Sequence, residues 1–199
     1  MTDATLPRPE VRARSAATDL ALVATGAALV AVCSLLAAPV GPAGAPITLQ
    51  TFAVLLVGAL LGPVRGALAV ALYLAVGFAG LPVFAGATGG PGSFGKVTIG
   101  YLLAFPLAAA VVGLLVQRFG RRAWAPSALL IAGAGVVGTL VIYAIGVPVL
   151  AQRAGLTFTE ALVGNLVFVP FDLVKIAMVA VVAAAVHRAF PDLLDRDRT

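Results

Sequence analysis

Charge is what this chain has least of. Only 11% of its 199 residues are charged, against about 25% in an ordinary soluble domain. A soluble fold of this length covers its surface with charged and polar side chains, so the shortage excludes one. Reactive side chains are scarce too. With one histidine (His187), one cysteine (Cys33) and eight carboxylates, the chain has no stock for a Cys/His metal cluster, a disulfide framework or a Ser/His/Asp triad. A lone thiol in an apolar helix behaves as a small hydrophobe, and His187 lies at the edge of an apolar run, so neither takes a role. The expectation is a protein that is not an enzyme and carries no cofactor or metal. What is abundant is apolar: 61% of residues are hydrophobic and mean hydropathy is +1.10. The net charge of +5 does not point to nucleic acid, because the basic residues separate apolar segments rather than forming a stripe with aromatics.

The uncharged stretches are Leu20–Ala38, Ile47–Leu61, Gly66–Gly80, Gly100–Val116 and Ala125–Leu150; a sixth, Ala161–Val186, is apolar except for Asp172 and Lys175. A spanning helix needs about 20 residues. The second and third runs are short and are extended here through Thr48–Gln50 and Leu81–Pro82, with tilt or kinks expected. Arg65, between Pro63 and Gly66, marks a turn between them. The expected fold is all-α: a polytopic membrane protein of six transmembrane helices. It forms one integral membrane domain over 1–199, with polar tails at about 1–18 and 188–199 and no internal repeat. Positive residues are retained on the cytoplasmic side. With the amino terminus inside, Arg8, Arg12, Arg14, Arg65, Arg118, Arg121, Arg122, Arg188, Arg196 and Arg198 share the inner side, against Lys96 and Arg153 outside. Both termini are therefore expected in the cytoplasm, with the chain in the cell membrane. The first run is longer than the 7–15 residues of a signal-peptide core, which argues against cleavage.

Gly90-Pro91-Gly92-Ser93-Phe94-Gly95 matches G-x-G-x-x-G, and with Lys96 it matches a P-loop except that Val97 stands where Ser or Thr belongs. It follows no strand, and no acidic residue lies about 20 positions on, so it is not a nucleotide site. Its glycines allow an irregular backbone, tolerated at membrane depth when it lines a cavity or is buried in protein. Asp172 and Lys175 carry the sharpest signal. A charge near the centre of a span costs about 2.5–3.5 kcal/mol on insertion scales, so such a residue is a functional candidate. At i and i+3 the two share a helix face, reachable by one ligand or by each other. The alternative is an ion pair that only fixes helix packing. Pro170 favours function, since it bends the helix beside the pair. Gln50, within Pro46-Ile47-Thr48-Leu49-Gln50-Thr51, both donates and accepts toward a polar ligand, while Thr48 is equally a helix cap. Tyr73, Tyr101 and Asn165 are further polar groups in or near spans. Ala17/Ala21 and Ala24/Ala28 put small residues at four-residue spacing in the first span, a pattern that lets a helix approach a neighbour or a partner closely.

Taken together, Pro46-Ile47-Thr48-Leu49-Gln50-Thr51-Phe52-Ala53-Val54-Leu55, Gly80-Leu81-Pro82-Val83-Phe84-Ala85, the glycine-rich loop to Tyr101 and Asp172-Leu173-Val174-Lys175 resemble the BioY family. These are the biotin-specific S components of energy-coupling factor transporters, and the resemblance runs over roughly residues 20–186. It implies a six-helix protein that captures biotin from outside. It also implies partnership with a transmembrane coupling protein and two cytoplasmic ATPases, through which alone ATP is used. By the same resemblance Asp172 and Lys175 contact the ligand, with a ureido ring offering N–H groups to the carboxylate. Gln50, Tyr101, Lys96, Asn165, Gly90 and Gly92 complete the expected substrate-binding set, and Ala17, Ala21, Ala24 and Ala28 the expected partner interface. One departure stands out. Family members close the glycine-rich loop with G-P-T-G-G before an aromatic residue, whereas this chain reads Gly95-Lys96-Val97-Thr98-Ile99-Gly100-Tyr101. Lys96 is then either a cation for the ligand carboxylate or a solvated loop lysine. The competing functions are an S component for another vitamin, and a stand-alone proton-coupled transporter or membrane scaffold.

Overall fold

The computed structural model describes residues 16–38, 46–120 and 126–190. In chain order it contains α1 (Ala16–Leu35), β1 (Ala37–Ala38), β2 (Ile47–Thr48), α2 (Gln50–Phe78), a 3₁₀ turn (Pro91–Gly95), α3 (Ile99–Gly120), α4 (Ala128–Ala154), α5 (Phe158–Asn165), a second 3₁₀ turn (Leu166–Phe168) and α6 (Val169–Ala189). Among the described residues, five helical stretches are long and apolar enough to cross a membrane: α1, α2, α3, α4 and the continuous run Phe158–Ala189. Helix dominates because a chain this apolar has no water to satisfy its backbone, and helices satisfy their own.

The longest helix is not straight. Gly62 in α2 has φ 78° and ψ −177°, a conformation outside any helix that favours glycine, and Pro63 follows it. The chain reverses there. Gln50 Nε2 donates to the Tyr73 hydroxyl over 2.8 Å although the two are 23 residues apart, a separation of roughly 35 Å along a straight helix. A Cβ on Gly66 would fall 2.9 Å from Gly58 Cα, so the two arms touch. The turn expected between the second and third apolar runs is therefore the tip of an antiparallel helical hairpin.

The outer ends of the hairpin differ from the extended spans. Ile47 and Thr48 are not helical: they pair antiparallel with Ala38 and Ala37, which satisfies their backbone outside the helix. The Thr48 hydroxyl accepts the Gln50 N–H at 3.2 Å, and α2 starts there. Leu81 and Pro82 lie past the end of α2, because Gly80 at φ 117° breaks the helix first. The last span also departs from expectation. It is interrupted at Leu166–Phe168, so Pro170 sits in the first turn of α6, where its missing N–H would have had no helical partner.

Small residues bring the hairpin onto α3. A Cβ on Gly58 would lie 2.5 Å from the Ala109 carbonyl oxygen, and one on Gly113 would lie 2.4 Å from Gly62. Val30, Val54, Val70, Tyr73 and Ala108 form one buried cluster beside these contacts, and Leu55, Val112, Ile131, Ile176 and Val179 a second against α4 and α6. Contacts also sort the helix ends. Arg65 Nε lies 3.4 Å from Asp19 Oδ1, joining the hairpin tip to the start of α1. His187 Nε2 is 2.9 Å from the Ala59 carbonyl oxygen, bringing the end of α6 to the same tip. Arg65, Arg118 and Arg188 thus share one end of the bundle, while Lys96 and Arg153 occupy the other. Arg8, Arg12, Arg14, Arg121, Arg122, Arg196 and Arg198 lie outside the described residues.

Candidate functional site

At the end opposite the hairpin tip, the start of α2, the start of α3, the middle of α4 and the start of α6 surround a cavity of about 90 Å³. Much of its wall is apolar: Pro46, Ala85, Leu102, Phe105, Ile142 and Phe168. The polar lining comprises Thr48, Gln50, Thr51, Thr98, Tyr101, Tyr143, Asp172 and Lys175.

Asp172 and Lys175 are each 6% exposed, so their charges are withdrawn from water and must be answered inside the protein. Lys175 Nζ donates to Asp172 Oδ1 at 2.8 Å and to Thr51 Oγ1 at 3.0 Å. The Thr51 hydroxyl donates on to Asp172 Oδ1 at 3.4 Å, and the Tyr143 hydroxyl donates to Oδ2 at 2.5 Å. The interruption at Leu166–Phe168 starts α6 afresh, so the pair falls in its first two turns and meets α2 and α4. An ammonium has three donors, and these contacts use two, leaving one for a ligand acceptor. The carboxylate keeps lone-pair capacity on Oδ2 for a ligand N–H.

Further residues shape the walls. Gln50, 3% exposed, is held by its bond to Tyr73, whose hydroxyl also reaches the Val83 carbonyl at 3.3 Å. The Tyr101 hydroxyl donates to Asn165 Oδ1 at 2.9 Å. Its ring lies against Gly146 of α4, where an added Cβ would come within 2.4 Å of a ring carbon. The site offers one donor–acceptor head, Lys175 and Asp172, inside an apolar enclosure.

Of the residues expected from sequence, Asp172, Lys175, Gln50 and Tyr101 converge on this cavity. Asn165 is one bond behind, through Tyr101. Lys96, Gly90 and Gly92 are not among the residues lining it: Lys96 donates to the Thr88 hydroxyl, the Gly90 N–H bonds the Gly77 carbonyl at 2.7 Å, and Gly92 is exposed. They belong to the loop that follows the hairpin, whose course is set by turns a sequence pattern does not specify. Thr51 is read from sequence only as one of two hydroxyls in the Pro46–Thr51 block, and Tyr143 is not singled out at all. The available signal for Tyr143 was a lone hydroxyl-bearing ring inside the long run Ala125–Leu150. Ala17, Ala21, Ala24 and Ala28 are all exposed on α1.

Comparison with known proteins gives concordant results. The BioY family pattern matches residues 6–192. A biotin transporter BioY from Rhizobium etli is 36% identical over 177 residues, covering 87% of this chain and 95% of the relative. The biotin transporters BioY of Rhodobacter capsulatus and Thermotoga maritima are each 40% identical, covering 76% and 78% of this chain and 83% and 88% of theirs. The crystal structure of the S component for biotin from an ECF-type ABC transporter superposes with a TM-score of 0.80 at 25% identity. That match covers 86% of this chain and 92% of the other. A transporter family rather than an enzyme family accounts for the fold and for the site, and this chain belongs to the BioY family.

Proposed function

We propose that the protein is a biotin-binding S component, capturing biotin outside the cell and passing it across the plasma membrane with an ATP-driven coupling module. The observation that carries this reading is the buried Asp172–Lys175 pair at the wall of an otherwise largely apolar cavity. A cyclic urea has N–H groups for Asp172 and a carbonyl for the free donor of Lys175, and its fused apolar ring and alkyl tail suit Phe105, Ile142 and Phe168. Gln50 and Tyr101 shape the pocket, with Asn165 orienting Tyr101. Lys96, Gly90 and Gly92 belong to the loop at its entrance, where Lys96 is the cation on offer to the ligand carboxylate.

The hairpin in α2 supports six membrane spans rather than five, since each arm of α2 runs the opposite way. The concentration of arginines at the hairpin end supports placing that end, and both termini, in the cytoplasm. The cavity then opens outward. Ala17, Ala21, Ala24 and Ala28 form the docking stripe for a transmembrane coupling protein that works with two cytoplasmic ATPases. Calorimetry on ligand-free, folded protein in detergent is the test. One-to-one binding of biotin is expected, with lipoate, which keeps the alkyl carboxylate but lacks the urea, competing poorly because it leaves Asp172 unpaired. Absence of heat from biotin would end this reading, and tighter binding of another vitamin would redirect it.

A further inference from the structure

A second space lies beside the binding cavity. A cleft of about 280 Å³ runs between α4 and the α5–α6 segment, lined mostly by apolar side chains such as Val136, Leu140, Leu162 and Leu173. Leu140, Leu162 and Leu173 are exposed, so the cleft opens on the face turned toward the bilayer. Two residues belong to both linings, Tyr143 and Asp172. Their hydrogen bond, from the Tyr143 hydroxyl to Oδ2 over 2.5 Å, ties α4 to α6 across the partition. The other carboxylate oxygen, Oδ1, already receives Lys175 and Thr51.

We propose that Tyr143 is a positioning residue for biotin: its hydroxyl fixes the plane of the Asp172 carboxylate and so presents Oδ2 to the ligand. This rests on the biotin-binding function proposed above. The outer torsion of an aspartate is broad and turns both carboxylate oxygens together, so the bonds on Oδ1 and the bond on Oδ2 jointly set one plane. The Tyr143 bond pins the oxygen that the α2 and α6 donors do not reach, and so narrows that torsion before the ligand arrives. Ordering already in place is not a cost of binding. Each carboxylate oxygen has about two acceptor positions, so Oδ2 still has one for a ligand N–H.

A residue that acts through another has no effect once the other is neutralised, and Tyr143→Phe keeps the ring while removing only the hydroxyl. Biotin affinity should fall about two- to tenfold in Tyr143→Phe, the cost of ordering one side chain on binding. It should fall no further when Tyr143→Phe is added to Asp172→Asn, measured at protein concentrations raised to suit the weaker binding. Equal losses in both backgrounds would overturn the proposal, as would no loss in the native background. A second measurement does not depend on biotin. The carboxylate stretch that disappears in Asp172→Asn should shift in ligand-free Tyr143→Phe, and an unmoved band would overturn the proposal even in a protein that binds some other ligand. Failure of native protein to bind biotin, with the band shifted, would count against the proposed function alone.

Discussion

A carboxylate and an ammonium inside an apolar run are legible in any sequence, because their cost in a membrane demands a reason. Their partners were not legible: Thr51 and Tyr143 lie 121 and 29 residues from Asp172, and only the fold brings them there. Asp172→Asn is expected to lower biotin affinity roughly ten- to hundredfold, since it removes the charge that strengthens the hydrogen bonds to the ligand. Lys175→Met should weaken binding similarly, and it should also lower thermal stability, because it leaves a buried carboxylate answered only by neutral hydroxyls. Calorimetry and melting on the same preparations check both effects. Normal affinity with lost stability in both variants would assign the pair to packing. A double variant that loses less than the sum of the singles would show that the two residues act as a unit.

At the scale of elements, the sequence marked a turn between the second and third spans near Pro63 and Arg65 but not how the backbone makes it. The answer depends on Gly62, whose φ of 78° was not readable from composition. Strand pairing at Ile47–Thr48 and the interruption at Leu166–Phe168 were equally hidden, because a short apolar strand and an apolar helix share one pattern. Gly62→Ala is expected to destabilise the protein by about 1–3 kcal/mol, the cost of holding a side chain in that backbone region. Gly133→Ala is its control: it sits inside α4 with nothing within 4 Å of an added Cβ, and there alanine favours helix. Gly146→Ala acts differently, displacing the Tyr101 ring and with it the bond to Asn165. It should reduce biotin affinity more than it reduces stability. Thermal melts and ligand titrations of the three variants separate these outcomes.

The whole molecule has two unlike ends and one thinly covered side. The ligand cavity lies at the end of Lys96 and Arg153, the hairpin tip at the end of Arg65 and Arg188, and α1 packs on the hairpin through Gly26, Ala27 and Val30. The opposite face of α1 carries Ala17, Ala21, Ala24 and Ala28, all exposed and none lining the cavity. A lipid-facing helix gains nothing from small residues at four-residue spacing, but a helix that receives another at close range does. Replacing these alanines with leucine fills the space a partner helix would occupy and leaves the bundle interior untouched. Cellular biotin uptake and recovery of the coupling protein with the variants should therefore both drop, while calorimetric affinity for biotin stays at the native value. A fall in affinity alongside uptake would mean that this face of α1 supports the cavity after all. Native uptake and native recovery would place the coupling surface elsewhere on the bundle.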